Sequence, residues 1–294
     1  MAETVGEQTS GEQTHGPPPP LAGYTGYLLG RAFVRDQACT AAAMPPGRHP
    51  RDLGVLAVLQ AAGQPSQRRL GELLGINRTL MVTVADGLEA DGLLTRERDP
   101  ANRRSYALAI TAAGRTALAE MTRGARECEA ELTAALPDAR RRRLVELLRQ
   151  IVPGDIEPEE LAGLSAFFIP RAHHLVGTEA AAALAKLGIA PRHSTMLITL
   201  AAIEPCAQQR LAAALGVSGP AVVGTVDELQ DRGLIVRQRN DRDRREQLLR
   251  LTAAGRDVLD TAVAALDQVH EQLASRIGAA EMAELNDLLI KIIE

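Results

Sequence analysis

A chain of 294 residues with 46% hydrophobic content is long enough for two domains of ordinary size. Its net charge of −4 argues against indiscriminate coating of nucleic acid, and no apolar run reaches membrane-spanning length. Three cysteines with no CxxC spacing point to reduced thiols in a cytoplasmic protein rather than a disulfide framework.

Residues 1–20 are rich in Glu, Gly, Thr and Pro and predict a disordered tail, with no basic-then-apolar start that would mark a signal peptide. Leu21–Ala43 reads as a first helix. Its twin begins at Leu161, and Gly30 of the first pairs with Pro170 of the second, so a bend is expected in both. Pro50–Ala62 follows as a second helix, with proline in its first turn. Gln67–Leu74 is a short helix that breaks at Gly75, and Asn77 is a candidate N-cap for the next one. There the apolar positions Leu80, Val84 and Leu88, with Met81 nearby, fall at helical spacing until Gly92 stops the helix. Two extended runs, Leu93–Arg98 and Ser105–Ile110, flank a polar tip, Asp99–Arg104. Thr111 caps a long amphipathic helix that is expected to run to about Leu136 and break at Pro137, and Ala139–Ile151 closes the unit.

The chain then repeats itself. Gln208–Arg256 aligns with Gln67–Arg115 at a constant offset of 141 residues, and 21 of 52 paired positions from Gln67 to Leu118 are identical without a gap. Such self-similarity makes the two halves copies of one domain. In the second copy Ser218 stands as cap, Val222, Val226 and Leu229 form the apolar face, Gly233 is the stop, and Asn240–Arg245 is the tip. The expected fold is mainly α with small β-hairpin wings: two tandem winged helix-turn-helix domains. The wings are locally basic. Arg96–Arg104 carries net +2 and Arg237–Arg245 net +3, a patch able to steer DNA to one face of an acidic body.

At these residues the chain resembles the MarR family of bacterial transcriptional regulators. The resemblance rests on LGINRTLMVTVADGLEADGLLTR, on the wing and helix start DPANRRSYALAITAAGR, and on their second-copy counterparts. Asn102 departs from the Asp that the family usually carries in the wing; the second wing, NDRDRR, fits better. Ordinary members are single domains that pair as homodimers. The resemblance therefore implies a fused pair acting as an intramolecular pseudo-dimer, with domain 1 over 21–152, a linker over 153–158 and domain 2 over 159–294.

In a helix-turn-helix the second helix enters the major groove with its N-terminal residues at the base edges. Those residues are Asn77, Arg78, Thr79 and Thr83 in copy one, and Ser218, Gly219, Pro220 and Gly224 in copy two. Arg78 can donate two hydrogen bonds to a guanine, whereas the second helix offers little hydrogen-bonding chemistry. Wing contacts to the minor groove or phosphates are expected from Arg98, Arg103, Arg104, Arg239, Arg242, Arg244 and Arg245. The operator should then be an imperfect palindrome.

Five of the six Phe and Tyr residues sit in the two first helices, where MarR-like proteins form effector pockets. Tyr24, Tyr27, Phe33, Phe167 and Phe168, with His173, His174, Arg192 and His193 as polar contacts, are the candidate effector site. Cys39 lies where some relatives carry an oxidant-sensing thiol, although a lone cysteine reads more simply as a small buried hydrophobe. The expected function is a DNA-binding transcriptional regulator, a repressor released by a hydrophobic or aromatic effector. The alternative is a protein that sequesters such a compound and binds DNA weakly or not at all. With no phosphate-binding loop, zinc signature or nucleophile elbow, no enzyme, cofactor or metal is expected.

Overall fold

The computed structural model describes residues 21–62, 64–98, 106–152, 158–239 and 247–294. The first copy runs α1 (Thr25–Ala43), α2 (Pro50–Ala62), α3 (Gln67–Leu74), α4 (Arg78–Ala90), β1 (Leu94–Arg98), β2 (Tyr106–Ile110), α5 (Ala112–Leu132) and α6 (Asp138–Ile151). The second runs α7 (Ser165–Ala185), α8 (Pro191–Ile203), β3 (Cys206–Ala207), α9 (Gln208–Leu215), α10 (Gly219–Asp231), β4 (Ile235–Arg239), β5 (Gln247–Leu251), α11 (Ala253–Ile277) and α12 (Ala279–Ile293). The described residues thus give two winged helix-turn-helix units of matching order. The expected tail and wing tips, and all of the linker but Pro158, lie outside the described residues.

Local chemistry sets the element boundaries. Gly75 and Gly216 adopt φ of 66° and 69°, the left-handed conformation that ends α3 and α9 and makes the turn into α4 and α10. Asn77 caps α4 by accepting a bond from the Leu80 amide at 2.9 Å. Ser218 stands at the matching position, but its side chain makes no capping bond; the Ala221 amide, which matches Leu80, bonds the Ser218 carbonyl at 3.0 Å instead. Thr111 and Thr252 cap α5 and α11 by accepting from the amides of Gly114 and Gly255 at 3.0 and 2.9 Å. These glycines are required by close approach: a Cβ on Gly114 would collide with the carbonyl oxygen of Leu93, and one on Gly255 with that of Leu234. The repeated Thr-Ala-Ala-Gly is therefore a packing motif that lays each long helix against the start of its own wing.

Several expectations are corrected. In α4 the fully buried stripe is Met81, Ala85 and Leu88, while Leu80 and Val84 are only half-buried, one residue off the face read from the sequence. The first helices start at Thr25 and Ser165 rather than at Leu21 and Leu161, after a turn closed by the Tyr24 amide on the Leu21 carbonyl. Helix α5 ends at Leu132, not near Leu136, as the Thr133 hydroxyl donates back to the Glu129 carbonyl. The second wing has a third strand, β3, paired with β5 at Cys206↔Leu249; its counterpart in copy one is a single bridge, Ser66↔Ala107. Two of the three thiols are not reduced: Cys39 of α1 and Cys128 of α5 form a disulfide, 89 residues apart in sequence. Cys206 is free and buried.

The largest core crosses between the copies. Leu28, Leu29 and Ala32 of α1, Leu144 and Leu148 of α6, Ile169 and Ala172 of α7, and Leu285 and Leu289 of α12 belong to one cluster and are wholly buried. Each buried leucine there contributes about 2 kcal/mol by removal of apolar surface from water. Polar bonds fix the register of this seam. Tyr24 donates to Asp267 at 2.8 Å and Thr25 to Asn286 at 2.8 Å, while Arg140 and Arg143 both reach Glu284, at 3.2 and 3.0 Å. Three arginines of the run 140–143 are accordingly salt-bridged, Arg140 and Arg143 to Glu284 and Arg141 to Asp138. Glu129 of α5 accepts from the Ser165 hydroxyl at 2.7 Å and the Ala166 amide at 3.3 Å, so copy one supplies the N-terminal cap for the first helix of copy two. The second lobe keeps a separate core around Leu197, Leu211, Val226 and Leu249.

Candidate nucleic-acid interface and ligand cavities

The two recognition helices present unlike faces. On α4, Asn77, Arg78, Thr79, Val82 and Thr83 are exposed. The Asn77 side-chain oxygen is committed to the cap and the Thr83 hydroxyl donates to the Thr79 carbonyl at 3.3 Å, which leaves Arg78 as the main exposed donor. On α10 the matching surface is Ser218, Pro220, Ala221, Val223 and Gly224, with Gly219 half-buried. Val217 and Val223 are 46% and 41% exposed, an apolar patch open to contact on the outer side of this turn and helix.

Each wing is clamped to its recognition helix by its first arginine. Arg96 pairs with Asp86 and, at 2.6 Å, with Glu89. Arg237 pairs with Asp227 at 2.6 Å and donates to Gln230 at 2.7 Å and Gln208 at 3.3 Å. Counting net wing charge from the sequence missed this: two of the arginines in that count are neutralised by the helix beside them. The signal was present, because Asp86 and Asp227 occupy the same repeat position. Arg239 is exposed at the end of β4. Arg98 lies on β1, but its side chain is outside the described residues, as are Arg103, Arg104, Arg242, Arg244 and Arg245 altogether.

Two cavities lie between the first helices and the reading lobes. The larger, about 730 Å³, is lined by Phe33, Phe167, His173 and His174 together with Asp36, Thr40 and residues of α2 and of the α3–α4 turn. The smaller, about 350 Å³, is lined by Tyr24, Tyr27 and His173 with α8 and α11. Of nine candidate effector residues, six therefore reach a cavity wall. Phe168 does not: it is buried, edge-on to Phe167 at 5.2 Å, with the Arg149 guanidinium 5.3 Å above its ring. Arg192 and His193 do not either. Both bond Glu228 of α10, at 2.7 and 2.8 Å, and Arg192 first and His193 second hold that carboxyl below its usual range. They tie α8 to the recognition helix instead of facing a ligand.

The sequence reading also missed Asp36. It is fully buried, accepts from the Gln37 amide at 3.4 Å and the Thr40 hydroxyl at 3.4 Å, and stands near Glu129. Burial is the main cause that lifts its carboxyl from 3.8 to about 7; Glu129 adds to it and the two hydrogen bonds oppose it. Burial likewise raises Glu129 and lowers His173, the latter helped by His174. Because the folded chain favours protonated Asp36, this group costs nothing below about pH 4 and destabilises increasingly as pH rises through 7. At about 1.4 kcal/mol per pKa unit, the ceiling is about 4 kcal/mol. Asp36→Asn is expected to stabilise the chain at pH 8 by about 2–4 kcal/mol and by less than half that at pH 5. Urea unfolding at the two pH values measures this, and equal midpoint shifts would show that the carboxyl is not desolvated.

Each first helix touches the reading lobe of the other copy. The His174 ring of α7 packs on Gly75, at the turn between α3 and α4, and the Arg31 guanidinium of α1 lies 3.0 Å from where a Cβ of Gly216 would stand, at the turn between α9 and α10. Among the described residues no group of His, Cys, Asp and Glu is arranged to hold a metal ion, and no helix is long and apolar enough to cross a membrane.

Comparison with known proteins gives a consistent answer. A family model described as MarR family matches residues 47–105 and 187–246, once in each copy. A protein of Thauera aromatica assigned as transcriptional regulator of the hcr operon is 30% identical over 139 residues, spanning 47% of this chain and 84% of that protein. Among solved structures, the transcriptional repressor CouR bound to a 23-mer DNA duplex is 30% identical, covering 48% of this chain and all of its own, with a TM-score of 0.46. CouR from Rhodococcus jostii RHA1 bound to p-coumaroyl-CoA is 30% identical over 45% of this chain and 94% of its own, with a TM-score of 0.42.

Proposed function

The chain belongs to the MarR family, and from that premise we propose that it is a sequence-specific transcriptional repressor released by a small hydrophobic or aromatic effector. One polypeptide would supply both reading heads, functioning as an intramolecular pseudo-dimer on an imperfect palindrome. The observation that carries this reading is the position of the cavities: their walls include the first helices, which touch the helix-turn-helix turns at Gly75 and Gly216. A ligand favouring a different spacing of α4 and α10 would shift the chain off DNA by its differential affinity for the two arrangements.

A gel-shift against the DNA flanking its own gene, at low and moderate salt, tests the proposal. No retained duplex at low ionic strength would favour the sequestering protein, a reading that the apolar surface of α10 also suits. Within the regulator reading, Arg245→Ala is expected to weaken binding to all duplexes alike and to reduce the slope of log K against log salt by about 1, the signature of one lost phosphate contact. A base-dependent loss in competition assays would assign Arg245 a reading role instead.

A further inference from the structure

We propose that the chain accepts one ligand rather than two: the larger cavity is the receptor, and the Phe33–His173 pair transmits its occupancy to both reading lobes. This rests on the regulatory reading above but concerns the chain's own binding behaviour, which can be measured without DNA. Phe33 and His173 occupy the same position in the two first helices, and their rings stack on each other at 4.9 Å with planes 19° apart. Equivalent residues in contact mark the axis that relates the copies. A symmetric pair of chains would place two identical side chains there; the fused chain places two different ones.

The two sides of that axis have diverged. Asp36 and Thr40 form a polar wall in the larger cavity, and the positions matching them in α7, which line the smaller one, are Val176 and Ala180. The larger cavity holds about 730 Å³, ample for a polycyclic aromatic ligand, against about 350 Å³ on the other side. Its walls also carry Arg51 and His174, so an aromatic anion fits its chemistry: ring toward Phe33, charge toward those basic groups. The smaller cavity is walled mainly by aliphatic and small residues, and the Tyr24 and Tyr27 hydroxyls beside it are already engaged by Asp267 and Arg31.

His173 makes the coupling. It lines both cavities, and its Nδ1 is buried without a hydrogen-bond partner among the described residues. A ligand in the larger cavity meets His174, which packs on the first reading turn at Gly75. It also meets the Phe33–His173 stack, and Phe33 lies two residues from Arg31, which packs on the second turn at Gly216. One bound molecule thereby contacts the support of the first lobe directly and reaches that of the second through Phe33 on α1.

The test titrates the full chain with 8-anilinonaphthalene-1-sulfonate, an aromatic anion excited outside the Tyr and Trp absorption bands, so that its emission is read without protein background in the chain and in the Trp variants alike. One site per chain is expected by calorimetry. Gln37→Trp, which fills only the larger cavity, should weaken dye binding at least tenfold, and Thr195→Trp, which fills only the smaller, should leave it within twofold. Should Gln37→Trp fail to fold by circular dichroism, Ala181→Trp blocks the same cavity. Dye should alter amide exchange at both turns, 71–77 and 212–218, and in His173→Ala only at the first. Two equal sites, no dye binding, loss of binding in Thr195→Trp, or a wild-type exchange response confined to one lobe would each overturn the proposal. Failure to bind operator DNA would overturn the regulatory reading and leave these measurements standing.

Discussion

Alanine in place of Gly255 is expected to destabilise the chain by about 2–3 kcal/mol, and Gly114→Ala by a similar amount, at the upper end of what overpacking costs. The added methyl would fall on a backbone carbonyl, Leu234 in one case and Leu93 in the other, and neither is a flexible side-chain end that could swing aside. Relief requires α11 or α5 to lift from its wing. That movement would break the Thr252 amide bond to the Leu234 carbonyl, 3.1 Å, or the Thr111 amide bond to the Leu93 carbonyl, also 3.1 Å. The contrast lies in the same lobe. A Cβ on Gly224, inside α10, meets nothing within 4 Å, so Gly224→Ala should stabilise by about 1 kcal/mol through helix propensity alone. Urea midpoints for the three variants decide the matter. Equal shifts would show that the glycines act through backbone entropy and not through close approach.

The second large effect concerns DNA. Arg78→Ala should reduce discrimination at one operator half by about tenfold to a hundredfold, the worth of a lost bidentate contact at about 1–3 kcal/mol. The same helix positions in α10 carry Gly219 and Pro220, so single-base changes in the other half should cost less than about 1 kcal/mol each, coming through shape and thymine methyls. Competition with operators mutated one base at a time measures both. Equal penalties in the two halves would sink the asymmetric reader, whatever the absolute affinity.

Element order was legible in the sequence because the punctuation is strong and occurs twice. Gly75 and Gly216, Gly92 and Gly233, and Thr111 and Thr252 each mark the boundary that they mark in the structure. The agreement at the start of Pro50–Ala62 follows from proline at the first turn. The buried face of α4 was read one residue off, because leucine and valine at positions 80 and 84 outweigh alanine at 85 in any hydrophobic pattern.

The site was legible only in part, since its walls come from residues distant in sequence. Phe33 and His173 could be aligned as equivalents, but nothing in the spacing says that they stack on each other. Asp36 reads as an ordinary polar position on a helix, and its burial depends on α5 and α7 closing over it. Arg192 and His193 had the chemistry of a ligand contact, but Glu228, more than thirty residues on, takes both. The Cys39–Cys128 bond was hidden for the same reason: helices α1 and α5 meet only in the folded chain.

The seam joining the copies is internal to one polypeptide: Leu28 and Leu29 against α7 and α12, with Arg140 and Arg143 on Glu284. A regulator assembled from separate subunits falls apart on dilution, so its occupancy of a promoter climbs as the square of its abundance when scarce. Under the proposed function one chain carries both reading heads, and no such assembly equilibrium intervenes. Its titration curve should stay first-order down to a handful of copies per cell, and a defective allele could not poison a healthy one by mixed pairing.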